Sequence, residues 1–506
     1  MRKQKQSYSQ ILKSSSMVGG AQFIRMFIGI VQTKFAAVLL GPAGVGLIGA
    51  YQSIIQLASQ MSGLGISQSG VRDVAAATGT NDQNAIARTI SILRRMCWVT
   101  GVVGAIGLAA MAFPVSKMTF GGSEHAIALV LLSLVIWIMA IAQGQMAVIQ
   151  GLRRIGDLVR IQIIGSLAGA IVSVGLYSSI GMDGIVPALL AIGLFNLAVA
   201  WWFSRKVFPS SVQMSWRETF TGAKSLVGLA TAFMVGGLAT TFTAYAARAL
   251  IIRNIGMDGV GMYQAAYALS GYVLNFVLGA MGADFYPRLA GVADNNQEMN
   301  RLVNEQTEIG LLLATPAMIA TLGLAPLAIN MLYSPDFAPA VELLRWFVMG
   351  CFLRVISWPM GFISLAKGAK YWFMFSQISF NTLHIVFIFV GMHFWGLSGT
   401  AMAFFAMYVL HVFGIRLIAQ HLTHFSWSHE AKWLIFTQVT AVLIAFAASL
   451  FLSDIWSMGV GGVLFLVVGV HCLRELLVRL GAEHKMCKLI SKLPGARLIQ
   501  WKNGVV

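Results

Sequence analysis

The sequence predicts an all-α polytopic membrane protein with about 14 transmembrane helices, arranged as two parallel six-helix repeats plus two extra C-terminal helices. Three observations predict it. The 506 residues are 58% hydrophobic and only 10% charged, with a mean hydropathy of +0.77, which excludes a water-soluble globular protein of ordinary design. Apolar runs of about 20 residues, separated by short polar breaks, match the helical length that crosses a bilayer core; alternating ten-residue strands are missing, which argues against a barrel. Third, a glycine turn returns: Gly41, Gly44, Val45 and Gly46 match Gly256, Gly259, Val260 and Gly261 at one ungapped offset.

The offset that carries Gly41 to Gly256 recurs. It also carries Gly181 and Gly184 to Gly396 and Gly399, and Gln162-Ile163 to Gln377-Ile378. One such pair would be noise among 52 glycines, but several at one ungapped offset argue for two equivalent halves, as many secondary transporters are built. The apolar runs place helices near 15–40, 43–69, 96–113, 126–149, 160–180, 184–203, 226–253, 259–283, 309–328, 341–365, 372–393, 399–420, 434–452 and 458–478. The first twelve split at the basic, Ser-rich loop Ser204–Lys224. This gives an N-lobe over 1–210, a C-lobe over 211–425, the extra helices over 426–480 and a basic tail over 481–506. The offset spans six crossings, so all four glycine turns fall on one side and the halves relate by a pseudo-two-fold axis along the membrane normal.

A formal charge of +17 would suggest nucleic acid in a soluble protein, but here its placement decides. Sorted by loop, 28 of the 35 basic residues lie on one side, against only Lys117 and Arg253 on the other. The positive-inside rule makes the crowded side, with both termini, cytoplasmic, and it leaves no role for nucleic acid. The longest loops, near 71–95 and 284–308, are too short for a domain with its own core and are expected to form short cytoplasmic surface helices. Cys97, Cys351, Cys472 and Cys487 have no metal or redox spacing. No cleavable signal is evident, because the first apolar segment carries Arg25 and continues.

Gln22, Arg25, Gly29 and Gln32 share one face of the first helix, and Gln52, Gln56, Ser59 and Gly63 form a stripe on the second. Thr241, Tyr245 and Arg248 on the seventh helix, with Gln264, Tyr267, Gly271 and Asn275 on the eighth, repeat the pattern. Together they predict a wet central cavity. The basic residues left over from the loops are Arg25, Lys34, Arg248, Arg345 and Arg354, and a cation at mid-depth costs about 2.5–3.5 kcal/mol on insertion scales, so it is normally functional or paired. The nearby carboxylates Asp73, Asp284, Glu342 and Asp454 sit at helix ends, so an anionic substrate is the expected partner.

Not every cation reads alike. Lys34 lies roughly opposite Arg25 and reads more readily as snorkelling to the outer interface, Arg345 reads equally as either, and Arg354 is deep, sharing its face with Trp358 and Gly361. Asp284 offers a proton carrier, although pairing with Arg288 at the surface is the favoured reading. His384 and His411 read as packing histidines, the tryptophans as interfacial belt, and Lys485–Lys502 as a solvated tail that anionic headgroups would suit. No Walker A, GxSxG or HExxH motif occurs, so no catalytic residue, metal or cofactor is assigned, and the chain is read as a transporter, not an enzyme.

The run Phe35–Gly46 (FAAVLLGPAGVG), together with Leu332–Phe337 (LYSPDF) and Ile363–Gly368 (ISLAKG), resembles the Wzx-type O-antigen and lipid-linked oligosaccharide flippases of the multidrug/oligosaccharidyl-lipid/polysaccharide exporter superfamily, over roughly residues 10–425. The resemblance implies two six-helix lobes in a V around a cationic cavity lined by helices one, two, seven and eight, which would contain Arg25 and Arg248. It implies outward transfer of an undecaprenyl-pyrophosphate-linked glycan across a bacterial inner membrane by alternating access, driven by a proton or sodium gradient or by consumption of the product. Membrane lipids, a polysaccharide polymerase and chain-length machinery are the implied partners. Two helices beyond twelve depart from the usual pattern and also occur in the peptidoglycan-precursor flippase branch. The rivals are a drug exporter, which would want acidic cavity residues; a polysaccharide polymerase or ligase, which would want a larger outer loop than Pro114–His125; and a non-transporting export subunit.

Overall fold

A computed structural model describes residues 2–80, 82–206, 214–228 and 231–480. The described residues are helical almost throughout, and the chain is an integral membrane protein. In order the helices are α1 (Arg2–Gly63), α2 (Ile66–Gly79), α3 (Gln83–Ala110), α4 (Ala112–Phe120), α5 (Ala126–Gly151), α6 (Ile155–Ile180), α7 (Ile185–Arg205), α8 (Trp216–Gly228), α9 (Thr231–Asn254), α10 (Met257–Ala290), α11 (Asn296–Gly323), α12 (Ala325–Leu332), α13 (Ala340–Ala366), α14 (Lys370–Trp395), α15 (Ser398–Thr423), α16 (His429–Phe451) and α17 (Asp454–Leu480).

Among the described residues ten segments are long and apolar enough to cross a membrane. Two of them, Gly20–Gly63 at 44 residues and Ile155–Arg205 at 51, are each long enough to cross twice at about 20 residues per crossing. They break at Gly41 (φ 66°) and Gly181 (φ 58°), in the left-handed region that glycine reaches without a Cβ clash. The α11–α12 pair, bent by 77°, adds a further candidate span, and α10 lies where the sequence predicts the eighth crossing.

The repeat holds in exact register at α6 and at the glycine turns. The offset from Gly41 to Gly256 carries both ends of α6 (Ile155–Ile180) onto both ends of α14 (Lys370–Trp395), and Gly256 and Gly396 bend with positive φ as Gly41 and Gly181 do. Close approaches repeat too. A Cβ on Gly184 would meet the Leu176 carbonyl at 2.7 Å, and one on Gly399 would strike the carbonyl of Gly391, the repeat partner of Leu176.

Hydropathy misplaced three helix starts, the first being α1, which begins at Arg2 rather than near 15. α3 begins at Gln83, capped by Asp82, whose side chain accepts the Asn84 amide at 2.9 Å, and α11 begins at Asn296, capped by Asn295. These polar first turns extend the spans beyond their apolar stretches. The 71–95 loop does hold a separate surface helix, α2, whereas 284–308 holds none: α10 runs on to Ala290 and α11 follows.

Contacts divide the chain into two compact units. The first comprises Met1–Gln264, Leu332–Asp336 and Gln377–Ile385, and the second Ala265–Met331, Phe337–Ser376 and Val386–Val506. Within the first, α2, α3 and α5 pack around a core that includes Ile66, Val74, Leu93 and Val148, and α5 also packs on α7. Within the second, the equivalent pairs α11 on α13 and α13 on α15 recur, and α16 and α17 pack on α11. That docking is polar as well as apolar. Arg479 donates to Glu308 at 3.1 Å, Asn304 holds the α15–α16 link through Ser426 and Ser428, and Gly323 and Gly461 lie against each other.

Candidate functional site

Two clusters of cationic and hydrogen-bonding side chains emerge, one in each unit. In the first unit the Gly41 and Gly256 turns lie against each other. A Cβ on Gly46 would run into the Met257 carbonyl, and one on Gly261 into the Pro42 carbonyl, so both helices need a bare backbone at the crossing. Gly49 continues this close contact and rests against the amide of Gln264. That amide oxygen accepts from Arg248 Nη2 at 2.5 Å, while Nη1 donates to the Ala244 carbonyl at 2.7 Å. The guanidinium lies 5.8 Å from the Tyr263 ring, the residue is 8% exposed, and its Nε has no hydrogen-bond partner. This buried guanidinium is satisfied by neutral acceptors and has no carboxylate partner among the described residues, the setting in which a bound anion would supply the missing charge.

Arg25 is placed differently. It is exposed, and its Nη1 donates to Gln162 on α6 at 3.2 Å; two turns on, Gln32 donates to Ser173 of α6 at 2.9 Å. The polar stripe of the first helix therefore faces α6. Gln22 is exposed, and Gln52 and Gln56 are exposed on the segment after Gly41. Lys34 donates to the Tyr333 carbonyl.

In the second unit Arg354 on α13 lies within electrostatic reach of the hydroxyls of Tyr408 and Tyr267 and of the Cys351 thiol. Tyr267, 38% exposed, packs edge-on against Phe347 (5.5 Å) and Phe404 (6.2 Å), and Phe404 meets Tyr408 edge-on at 4.8 Å. Tyr408 meets His411, whose Nδ1 lies 3.0 Å from Ser357 Oγ. The result is a cation beside phenol hydroxyls and ring faces, a surface that suits a sugar or a phosphate. Tyr408, Ser357 and His411 were missed as site residues. The signal was the spacing of Tyr408 and His411, three apart on one helix face.

Arg345 pairs with Asp454 at 3.5 Å in a cavity of about 420 Å³ that Glu342, Asn330 and Ser398 also line, so it is a partnered cation. The side chains of Asn275 and Asp284 and the tail with Lys485–Lys502 lie outside the described residues. Among the described residues no group of three His, Cys, Asp or Glu side chains could hold a metal.

The sequence model of a family described as polysaccharide biosynthesis protein matches residues 36–342. The lipid III flippase of Escherichia coli (strain K12) is 25% identical over 414 residues, covering 79% of this chain and 96% of that protein; the Shigella flexneri lipid III flippase matches equally. Among solved structures, the lipid II flippase MurJ in an inward closed conformation superposes with a TM-score of 0.67 at 10% identity, covering 92% of this chain and 99% of that one. An inward-facing multidrug resistance MATE family transporter of the MOP superfamily gives 0.65 at 13% identity, covering 79% and 96%. These two likenesses establish the fold. The relatives are flippases and transporters, not enzymes.

Proposed function

This chain belongs to the polysaccharide biosynthesis protein family, and from that premise we propose that it flips an undecaprenyl-pyrophosphate-linked oligosaccharide, the repeat unit of O-antigen or a related surface polysaccharide, from the cytoplasmic to the outer leaflet of a bacterial inner membrane. Both termini face the cytoplasm in this reading, as the 28 basic residues on that side against two on the other support. The glycine turns then lie on the outer side. The name of the 25% identical relative, a lipid III flippase, supports a lipid-linked glycan precursor as the class of cargo.

One observation carries the reading. Arg25, Arg248 and Arg354 make no ion pair among the described residues, and each rests on neutral groups instead. A pyrophosphate brings the missing negative charge, and guanidinium groups bind phosphate oxygens through strong charge-assisted hydrogen bonds. Beside Arg354 in the second unit, Tyr267 and Tyr408 offer phenol hydroxyls, and in the first unit the exposed Gln52 and Gln56 offer amides. The polyprenyl tail stays in the bilayer. Alternating access then needs only that the loaded site prefer one of two arrangements on each side of the membrane. Cation-binding drug transport is disfavoured by the same residues, since it would call for carboxylates where this chain has arginines.

The test is leaflet-resolved accumulation of lipid-linked oligosaccharide in cells carrying wild type, Arg25→Ala or Arg248→Ala at matched protein levels. Trapping of the glycolipid in the cytoplasmic leaflet by the variants is the expected result. Unchanged outward transfer on deleting the protein altogether would reject the substrate class.

A further inference from the structure

We propose that the outer end of the first unit holds a proton-binding site at His125, and that protonating it releases the α4 hook from α9. The proposal takes from the functional reading only the assignment of this end to the outer side.

The hook is α4 with the loop that follows. It grips α9 at two points: Thr119 Oγ1 shares a hydrogen bond with the Tyr245 hydroxyl at 2.8 Å, and Arg253 Nη1 donates to the Lys117 carbonyl at 3.0 Å. Gly121, at φ 90°, turns the chain out of α4, and Ser116 closes the loop on itself through the Gly122 carbonyl at 2.7 Å. What holds the hook down from the other side is an aromatic trio. The His125 ring stacks on Phe120 with centroids 4.0 Å apart, and Tyr51 of α1 meets both rings edge-on at 5.9 Å. The Tyr51 hydroxyl lies 2.8 Å from His125 Nδ1.

That last contact is sensitive to charge. Neutral imidazole can accept the Tyr51 O–H at Nδ1, but imidazolium carries a proton on both nitrogens and can only donate. Tyr51 is 3% exposed, so a phenol proton displaced from Nδ1 has no water to turn to, and a buried donor left unsatisfied is costly. The ring relieves this by swinging out of the trio, and Phe120, the last residue of α4, loses its stacking partner. The groups facing His125 are the Tyr51 hydroxyl from α1, Phe120 from the hook and the Glu124 carboxylate from its own loop; the hook's Lys117 and Arg253 of α9 are the nearby cations. Burial holds His125 below the ordinary imidazole range, against an opposing pull from Glu124. The hook is therefore closed near neutrality and opens on acidification. Residue 340, which repeats position 125, is Ala, so only the first half carries the device.

The test needs no substrate. In a cysteine-free background, spin labels at Met118→Cys on the hook and Asn254→Cys at the end of α9, both exposed positions, report their separation by pulsed electron paramagnetic resonance in proteoliposomes from pH 8 to pH 5. A longer-distance population should grow with acid, with its midpoint below the ordinary imidazole range. His125→Gln keeps an acceptor oxygen but cannot titrate, so its distances should stay short throughout. Tyr51→Phe leaves His125 in place and removes the bond, and should raise the open-to-closed ratio roughly 10-fold already at pH 8. A wild type insensitive to pH, a His125→Gln that responds like wild type, or a Tyr51→Phe identical to wild type at both ends would each overturn the latch. Such a failure leaves the flippase reading untouched, since the leaflet assay does not depend on this pair, and failure of the leaflet assay leaves these distances interpretable.

Discussion

The first half bends at Gly41 and Gly181 and the second at their repeat partners Gly256 and Gly396, yet none of the three candidate arginines has an arginine at its repeat partner. Thr240 stands at the position equivalent to Arg25, Thr33 at that of Arg248, and Met139 at that of Arg354. Backbone equivalence is what two halves need in order to move as similar bodies about one axis. Side-chain equivalence is not needed, because a lipid-linked glycan has one charged end and no internal symmetry. The fold was duplicated in its bends and close approaches, and the chemistry was written separately on each copy.

That comparison can be broken most forcefully at the glycine crossing. Gly261→Ala would drive a methyl group into the Pro42 carbonyl, and overpacking of this kind costs about 1–3 kcal/mol or more, so thermal unfolding in detergent should fall sharply or the protein should fail to accumulate. Gly29→Ala, with nothing within 4 Å of the added carbon, should unfold like wild type. Equal stability of the two would remove the crossing as a structural requirement. The arginines sharpen the other half of the comparison. Arg248→Gln should slow outward transfer roughly 10–100-fold, the loss expected for hydrogen bonds to a charged group, whereas Thr33→Val at its repeat partner should stay near wild type. A smaller effect, about 3–10-fold, is expected from Tyr408→Phe, which removes one hydroxyl beside Arg354, and none from Met139→Leu.

The smallest effect concerns the linker between the halves. Ser215 and Glu218 form a capping box at the start of α8: the Ser215 amide donates to the Glu218 carboxylate at 2.8 Å, and the Glu218 amide donates to Ser215 Oγ at 3.2 Å. The Ser215 amide and hydroxyl hold the Glu218 carboxyl below its ordinary range, helped by Arg88 and Arg95. Because the folded value is the lower one, the stabilisation is complete above the unfolded value and is lost as pH falls through the folded one. Protection of the α8 amides, corrected for the intrinsic pH dependence of exchange, should therefore fall on acidification towards pH 3 in wild type, and Glu218→Gln should abolish that change.

Much of the fold was legible because its determinants are local or periodic. The twenty-residue apolar runs mark the crossings, and the ungapped offset set the register of both halves before any contact was known. Helix starts such as Gln83 and Asn296 escaped, since a polar first turn with an Asp or Asn cap continues a helix that hydropathy has already ended. The site was less legible. The stripe of Gln22, Arg25 and Gln32 was visible as a polar face, but which neighbour that face meets is a tertiary fact, and Gln162 and Ser173 place it on α6. Arg354 could be singled out as a deep cation, while Tyr408, two helices further along the chain, could not be joined to it without packing. His125 belongs to no sequence motif; its stacking on Phe120 and its bond to Tyr51 give it a task.

The central claim is that unpaired arginines recognise the charged end of a lipid-linked glycan. Its most direct test is transfer across proteoliposomes of two cargoes with the same glycan and polyprenyl tail, one joined by pyrophosphate and the other by an uncharged link. Wild-type protein should flip the pyrophosphate cargo at least about 10-fold faster, and Arg248→Gln should erase most of that preference. Equal transfer of both cargoes by the wild type would contradict the account.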